Sequence, residues 1–416
     1  MRGLLGIAAI LLFACVVAET RQRVMLRVVV GGVLLQFAAA YVLLKFPVAA
    51  KVFLLLNDAV QALQRATEAG TSFVFGYLGG APLPFTESQP GAAFIFAFRS
   101  LPLVLVISAL ATVLFYWGVL QRIVQAFAWV LRHTVGIGGA LGLGAAVHIF
   151  VGHIEAPLLI RPYLMQLQRG ELFALMSCGM AGIAGTVMVL YASILGPVIP
   201  DALGHILVAA VISTPAALSV AALMVPFRSE LAGPPAPPVE LLIDDPPVST
   251  MDAVAKGTRD GIVFLLNIIA SLVVIVALVS LVNSILGLLP DIGGSAITLQ
   301  RLFAYAFRPV MWLIGIPGSE IDTAAQLMAT KVVLNEFVAY IDLAKVPAEQ
   351  LSDHSRLIMT YALCGFANFG SLGILIGGMG AMVPERREEI VSLGLRSILS
   401  GTLAGCMSGA VVGMLV

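Results

Sequence analysis

The chain is 416 residues long, with 60% hydrophobic and only 11% charged residues and a mean hydropathy of +1.02. Soluble domains carry roughly 25% charged residues, so this composition excludes a soluble globular protein and predicts an integral membrane one. The formal net charge is zero, which leaves no basic field for nucleic acid and no acidic field for a cationic partner.

The first stretch, MRGLLGIAAILLFACVVAETRQR, has the basic start and apolar run of a secretory signal. It lacks a small-x-small cleavage site and a second apolar run follows at once, so it reads as a retained first span. A bilayer crossing takes about 20 apolar residues. The stretches that qualify are 3–18, 28–45, 94–120, 172–196, 203–226, 261–289, 357–383 and 390–416, which predicts an all-α fold with eight transmembrane helices. Two further regions, 135–165 and 298–345, are apolar but broken by Gly, Pro and charge.

Lysine and arginine near span ends set orientation. Arg21, Arg23 and Arg27 follow the first span, Arg122 and Arg132 the third; Arg228, Lys256 and Arg259 lie between the fifth and sixth, and Arg386 and Arg387 precede the last. Alternating spans put all of these on one face, taken as cytoplasmic, with both termini periplasmic. AGPPAPPVELLIDDPPVST (232–250) is Pro-rich and acidic and reads as a cytoplasmic linker between two halves. The four cysteines, Cys15, Cys178, Cys364 and Cys406, sit inside apolar runs without metal-ligand spacing and read as small buried residues.

The halves resemble each other. CGMAGIAG (178–185) aligns with CGFANFGS (364–371), and each stretch lies in a long span that follows a broken segment. Small-residue runs recur in membrane helices by chance, so the repeated order is better evidence than the matched letters. Paired interrupted segments in two halves point to the binding site of a secondary transporter.

In the first broken segment, Gly152-His153-Ile154-Glu155-Ala156-Pro157 joins two apolar arms, as the tip of a re-entrant hairpin would. Pro157 suits the first turn of the second arm, where its missing N–H is no loss. Gly315-Ile316-Pro317-Gly318-Ser319-Glu320 has the same tip chemistry in the second, which runs on through KVVLNEFVAY (331–340). An ionisable group at membrane depth costs about 2.5–3.5 kcal/mol on insertion scales. Glu155 and Glu336 are therefore either solute-binding groups or members of buried ion pairs, with Arg161 and Lys331 as the available partners. Asn368 and Ser371, three apart, either share a helical face toward a solute or bond a neighbouring helix. His148 and His153, five apart, do not share a helical face, yet flank the tip and can titrate. There is no HExxH or His pair at helical spacing for a metal, and no GxSxG, Walker A or dinucleotide motif for an enzyme or a hydrolysis-driven pump.

GTSFVFG (70–76), FIFAFRSLP (94–102), GHIEAPLLIRPYL (152–164), NEFVAY (335–340) and CGFAN (364–368) closely resemble signature stretches of the concentrative nucleoside transporters, and the resemblance runs the length of the chain. It implies a homotrimer of inverted-repeat, elevator-type protomers, with eight spans, interfacial helices and two re-entrant hairpins. The chain then divides into 1–130, N-terminal spans and an interfacial helix, mostly scaffold; 131–227, the first repeat; 228–260, the linker; 261–297, a scaffold span; and 298–416, the second repeat. A nucleoside, membrane lipid and a second and third copy of the chain are the implied partners; no cofactor is implied beyond a coupling cation, and a bacterial inner membrane is the implied location.

Carried over by position, the resemblance gives Glu336, Asn368 and Ser371 to the ribose hydroxyls, Glu155 to the region of base and sugar, Val187 and Phe366 to the base, and Gly152 to the hairpin tip. The usual tip is Gly-Gln-Thr-Glu, whose middle pair hydrogen-bonds the nucleobase; here that pair is His153 and Ile154, so base selection is expected to differ. Sodium-coupled members place an Asn and a Ser or Thr side chain among backbone carbonyls around the ion. Here His148 and Gly182 stand at those positions, with the carbonyls of Val151 and Ile183 left. Imidazole is a poor substitute for a hard oxygen ligand, so proton coupling through His148, Glu155 or His153 is expected, against sodium held differently or uncoupled flux. A channel, an intramembrane enzyme and a transporter of another ribosyl compound are the competing functions.

Overall fold

The structure is a computed structural model that describes residues 2–20, 25–87, 93–227, 245–291 and 294–416. Arg21, Arg23, Arg228 and most of the Pro-rich linker, 228–244, lie outside the described residues. What is described is all-α. The N-terminal part holds α1 (Arg2–Val16), α2 (Leu26–Lys45), α3 (Pro47–Phe75), α4 (Phe96–Arg99), α5 (Leu103–Tyr116) and α6 (Val119–Thr134). Pro47 begins α3 at the position where a missing N–H is harmless.

Next come a helix with a break, a longer helix with a break, and a continuous helix. These are α7 (Gly139–Val147) with α8 (Glu155–Leu159), α9 (Arg169–Ala181) with α10 (Gly185–Leu195), and α11 (Ala202–Met224). The 37-residue α12 (Thr250–Leu286) and α13 (Leu299–Ile314) follow. The same order then recurs as α14 (Ile321–Val333) with α15 (Glu336–Lys345), α16 (Asp353–Leu363) with α17 (Phe369–Met382), and α18 (Arg387–Leu415). The likeness of 178–185 to 364–371 therefore falls on equivalent breaks, between α9 and α10 and between α16 and α17.

Six helical stretches among the described residues are long and apolar enough to cross a bilayer: Leu26–Lys45, Phe96–Tyr116, Arg169–Leu195, Ala202–Met224, Thr250–Leu286 and Pro384–Leu415. The other two expected stretches form shorter apolar helices, Arg2–Val16 and Phe369–Met382. In the second case the span is divided, because its first arm, α16, opens on Asp353, His354 and Arg356. Two boundaries differ from expectation. The last part of the linker is helical, since Ser249 caps α12 by accepting from the Asp252 N–H at 3.1 Å. The second tip lies at Leu334-Asn335, between α14 and α15, whereas Gly315–Glu320 is the turn that joins α13 to α14. Gly315 ends α13 in a left-handed conformation, and Glu320 accepts from the Ser352 hydroxyl at 3.1 Å.

The core is the bundle of α9, α11 and α18, whose facing residues are almost all buried. At one end of it Arg169 pairs with Glu19 at 2.9 Å and Glu389 at 3.5 Å, and Arg386 donates to the carbonyls of Leu164 and Leu167. Arg27 donates to the His133 carbonyl nearby in sequence to Arg132.

Candidate functional site

The α7–α8 tip, the α14–α15 tip and the two breaks converge on one cavity of about 310 Å³, a volume at the low end of pockets that hold small organic ligands. Gly152, His153, Ile154 and Glu155 line it from the first tip, Val187 from α10, Glu336 from α15, and Phe366, Asn368 and Ser371 from the second break and the start of α17. All nine residues assigned to substrate from the sequence thus face a common space. Across it runs α12, which contributes Asp260, Asn267 and Ser271 among apolar side chains.

Glu336 is built into place from the backbone up. Asn335 caps α15, its side-chain oxygen accepting from the Val338 N–H at 2.9 Å, so Glu336 occupies the first turn, where a carboxylate is favoured by the helix dipole. Its two oxygens are taken separately: Tyr191 donates its hydroxyl to Oε1 at 2.7 Å, and Asn368 donates its amide to Oε2 at 2.9 Å. Asn368 is itself the cap of α17, accepting from the Ser371 N–H at 2.7 Å. Asn368 and Ser371 are therefore linked as a helix cap, through the Ser371 N–H, rather than as two side chains on one helical face, and that cap orients the amide toward the carboxylate.

The ion pairs that could have explained the two glutamates are not formed. Glu336 is spoken for by Tyr191 and Asn368, and the fully buried Lys331 ammonium has no hydrogen-bond partner among the described residues. Glu155 forms no ion pair among the described residues and faces the cavity, while Arg161 is exposed.

Behind the cavity wall lie His148, Val151, Gly182 and Ile183. A Cβ at Gly182 would stand 3.3 Å from the carbonyl oxygens of His148 and Cys178, and the Gly182 carbonyl accepts from the Phe366 N–H at 3.1 Å, so the two breaks are tied to each other. The Phe150 carbonyl accepts from the Gly185 N–H at 2.9 Å, tying the first tip to the first break. His148 and His153 are brought together by the turn between them. Both border Gly179, where a Cβ would lie 3.1 Å from His148 Cε1 and 3.0 Å from His153 Cβ, and both Nε2 atoms are buried without a partner among the described residues. The His153 ring also packs on Phe366, centroids 4.8 Å apart. Among the described residues no three His, Cys, Asp or Glu side chains are grouped to hold a metal ion.

Family models described as Na+ dependent nucleoside transporter C-terminus and N-terminus match residues 205–413 and 5–78, and one described as Gate, nucleoside recognition, matches 97–198. The nucleoside permease NupC of Helicobacter pylori is 30% identical over 420 residues, covering 100% of this chain and 97% of that protein. The chain belongs to the concentrative nucleoside transporter family. Sodium/nucleoside cotransporter 1 of Rattus norvegicus is 32% identical, covering 99% of this chain and 63% of that longer protein. Among solved structures, CNTnw in an inward-facing substrate-bound state is similar with a TM-score of 0.87 at 34% identity, covering 100% of this chain and 98% of that one. A CNTnw variant in an outward-facing state reaches 0.88, so the likeness establishes the fold and not the direction in which this chain opens. Members of this family are membrane-integral transporters, not enzymes.

Within this family frame, Tyr191 is a residue that sequence reasoning passed over. Nothing in YASIL distinguishes its hydroxyl from that of any tyrosine on an apolar helix, and only the fold brings it to Glu336. Asn335 carried a usable signal, since an Asn directly before Glu is a helix-cap pattern.

Proposed function

We propose that the protein is a secondary active nucleoside importer of a bacterial inner membrane, a symporter that couples uptake to protons in preference to sodium. In this reading the chain crosses the membrane eight times with both termini periplasmic, α7–α8 and α14–α15 are re-entrant hairpins, and a homotrimer supplies the fixed frame for an elevator movement of the hairpins and broken helices. The observation that carries the nucleoside assignment is the Glu336–Asn368 pair with Ser371 beside it, on a cavity shared with Phe366 and His153. A carboxylate and an amide side by side can accept from and donate to a 2′,3′-diol, and an absent hydroxyl would leave them unpaired at a cost of about 1–3 kcal/mol. Phe366 and Val187 supply an apolar slot for a base.

The proton assignment rests on ligand chemistry. At the two positions where the family's sodium members offer side-chain oxygens, this chain has the His148 imidazole and the bare Gly182, and His148 Nε2 is buried without an acceptor or donor. Sodium takes oxygen ligands, which an imidazole does not supply, whereas an imidazole nitrogen accepts a proton once water or a partner can stabilise the charge.

Uptake of uridine and adenosine into proteoliposomes, under proton and sodium gradients imposed separately, tests the proposal. Accumulation driven by an inward proton gradient and indifferent to sodium is expected, and His148→Asn should lose the proton drive. Stimulation by sodium at fixed pH would overturn the coupling assignment, and absence of any nucleoside accumulation would overturn the function.

A further inference from the structure

Between Asp260 and Ser280, α12 is apolar except at Asn267 and Ser271. The next amide along the helix, Asn283, is explained by its bonds: it donates to Gln300 at 3.0 Å and accepts from the Leu299 N–H at 2.9 Å, fastening α12 to α13. Asn267 and Ser271 have no side-chain hydrogen bond among the described residues. They are four apart, on one helical face, and that face lines the cavity opposite Glu155 and Glu336. An amide left in hydrocarbon is costly, so its position toward the cavity, and not toward lipid, has a physical reason.

The cavity follows α12 from Asp260 to Ile275, about 22 Å of helix. The same cavity, about 310 Å³, is lined by Glu336 and Asn368 on one wall and by α12 on the other, so a solute held by the pair lies in the space that α12 borders. On the base side of the hairpin tip, Ile154 offers no hydrogen bond and His153 packs on Phe366. Besides His153 Nε2 and the Glu155 carboxylate on the tip side, the polar side chains that face this part of the cavity are those of α12.

We propose that Asn267, with Ser271 one turn away, reads the edge of the nucleobase from the α12 side. This rests on the nucleoside assignment above. A carboxamide presents one donor and one acceptor next to each other, which matches the adjacent donor and acceptor on adenine, guanine, cytosine and uracil alike. Such a group tolerates the identity of the base, but not a base that has lost its exocyclic group.

Competition against radiolabelled adenosine binding to the purified protein, with adenosine, purine riboside and 3′-deoxyadenosine as competitors, tests this. Purine riboside lacks only the exocyclic amine. It is expected to compete about tenfold less well than adenosine, and Asn267→Leu should bring the two within about twofold by weakening adenosine, while 3′-deoxyadenosine keeps its penalty. Where the leucine variant does not fold, Asn267→Ala serves the same comparison. A preference for adenosine unchanged in the folded variant, or no preference in the unsubstituted protein, would overturn the proposal. Glu336→Gln separates the two readings. If it abolishes adenosine binding while the Asn267 variants leave the preference intact, base reading by α12 fails alone; if it leaves adenosine binding intact, the nucleoside site itself is misplaced.

Discussion

Asn368 serves two helices at once: its side-chain oxygen caps α17 by accepting from the Ser371 N–H at 2.7 Å, and its nitrogen donates to Glu336 Oε2 on α15 at 2.9 Å. Local backbone geometry thereby fixes the direction of a group on the cavity wall. Two substitutions separate the roles. Asn368→Ala removes cap and donor together, costing about 1 kcal/mol of helix stability, and should weaken uridine binding by tenfold or more in calorimetry. Asn368→Asp keeps the cap acceptor but turns a carboxylate toward Glu336; it should retain more thermal stability than the alanine variant while binding no better.

Tyr191 donates to the other oxygen of Glu336 at 2.7 Å. Tyr191→Phe deletes that donor and little volume. Bonds to a charged acceptor are worth about 1.5–3 kcal/mol net, so nucleoside affinity should fall by about tenfold, with the melting temperature in detergent moving by no more than a few degrees. Equal affinity for the two proteins would mean that Tyr191 lets go of Glu336 when solute arrives.

Much of this site was legible because the bilayer makes polarity conspicuous. Glu155, Glu336 and Asn368 stood out against apolar neighbours, and all line the cavity. The apolar stretches likewise located the helices. What the sequence hid was the position of the second tip. Gly315-Ile316-Pro317-Gly318 carries the residues expected of a break, yet it is a joint between two helices, while the tip at Leu334-Asn335 has neither Gly nor Pro. There the chain turns at Leu334, with φ −100° and ψ −91°, because Asn335 begins a new helix with its own cap. The meeting of His148 with His153 was equally hidden, since helical spacing does not apply across a turn.

Gly365 joins the two broken helices. Its φ is +137°, open to glycine and strained for any other residue, and a Cβ there would lie 2.6 Å from the Ala181 carbonyl oxygen. The neighbouring Phe366 N–H bonds the Gly182 carbonyl across the same contact. Gly365→Ala should therefore cost about 2 kcal/mol or more, read as a fall of several degrees in melting temperature. Nucleoside affinity should drop too, because Phe366 and Asn368 follow directly.

The ion cluster at the end of the bundle gives a pH signature independent of the cavity. Glu19 receives Arg169 Nη2 at 2.9 Å and Nε at 3.2 Å, and this hydrogen bonding holds its carboxyl below the ordinary value of 4.5, with Arg396 assisting and partial burial opposing. A group whose folded value is depressed adds stability above its unfolded value and loses it as pH falls through the folded one. Removing the partner with Arg169→Gln should lower the melting temperature at pH 6–7, and the gap from the unsubstituted protein should close as pH falls below about 4. Each pair is partly solvated, so the gap at neutral pH should be small and should shrink further in 1 M salt. A gap that persisted unchanged at pH 3 would show that Arg169 stabilises the bundle through its bond to Ser392 on α18 rather than through Glu19.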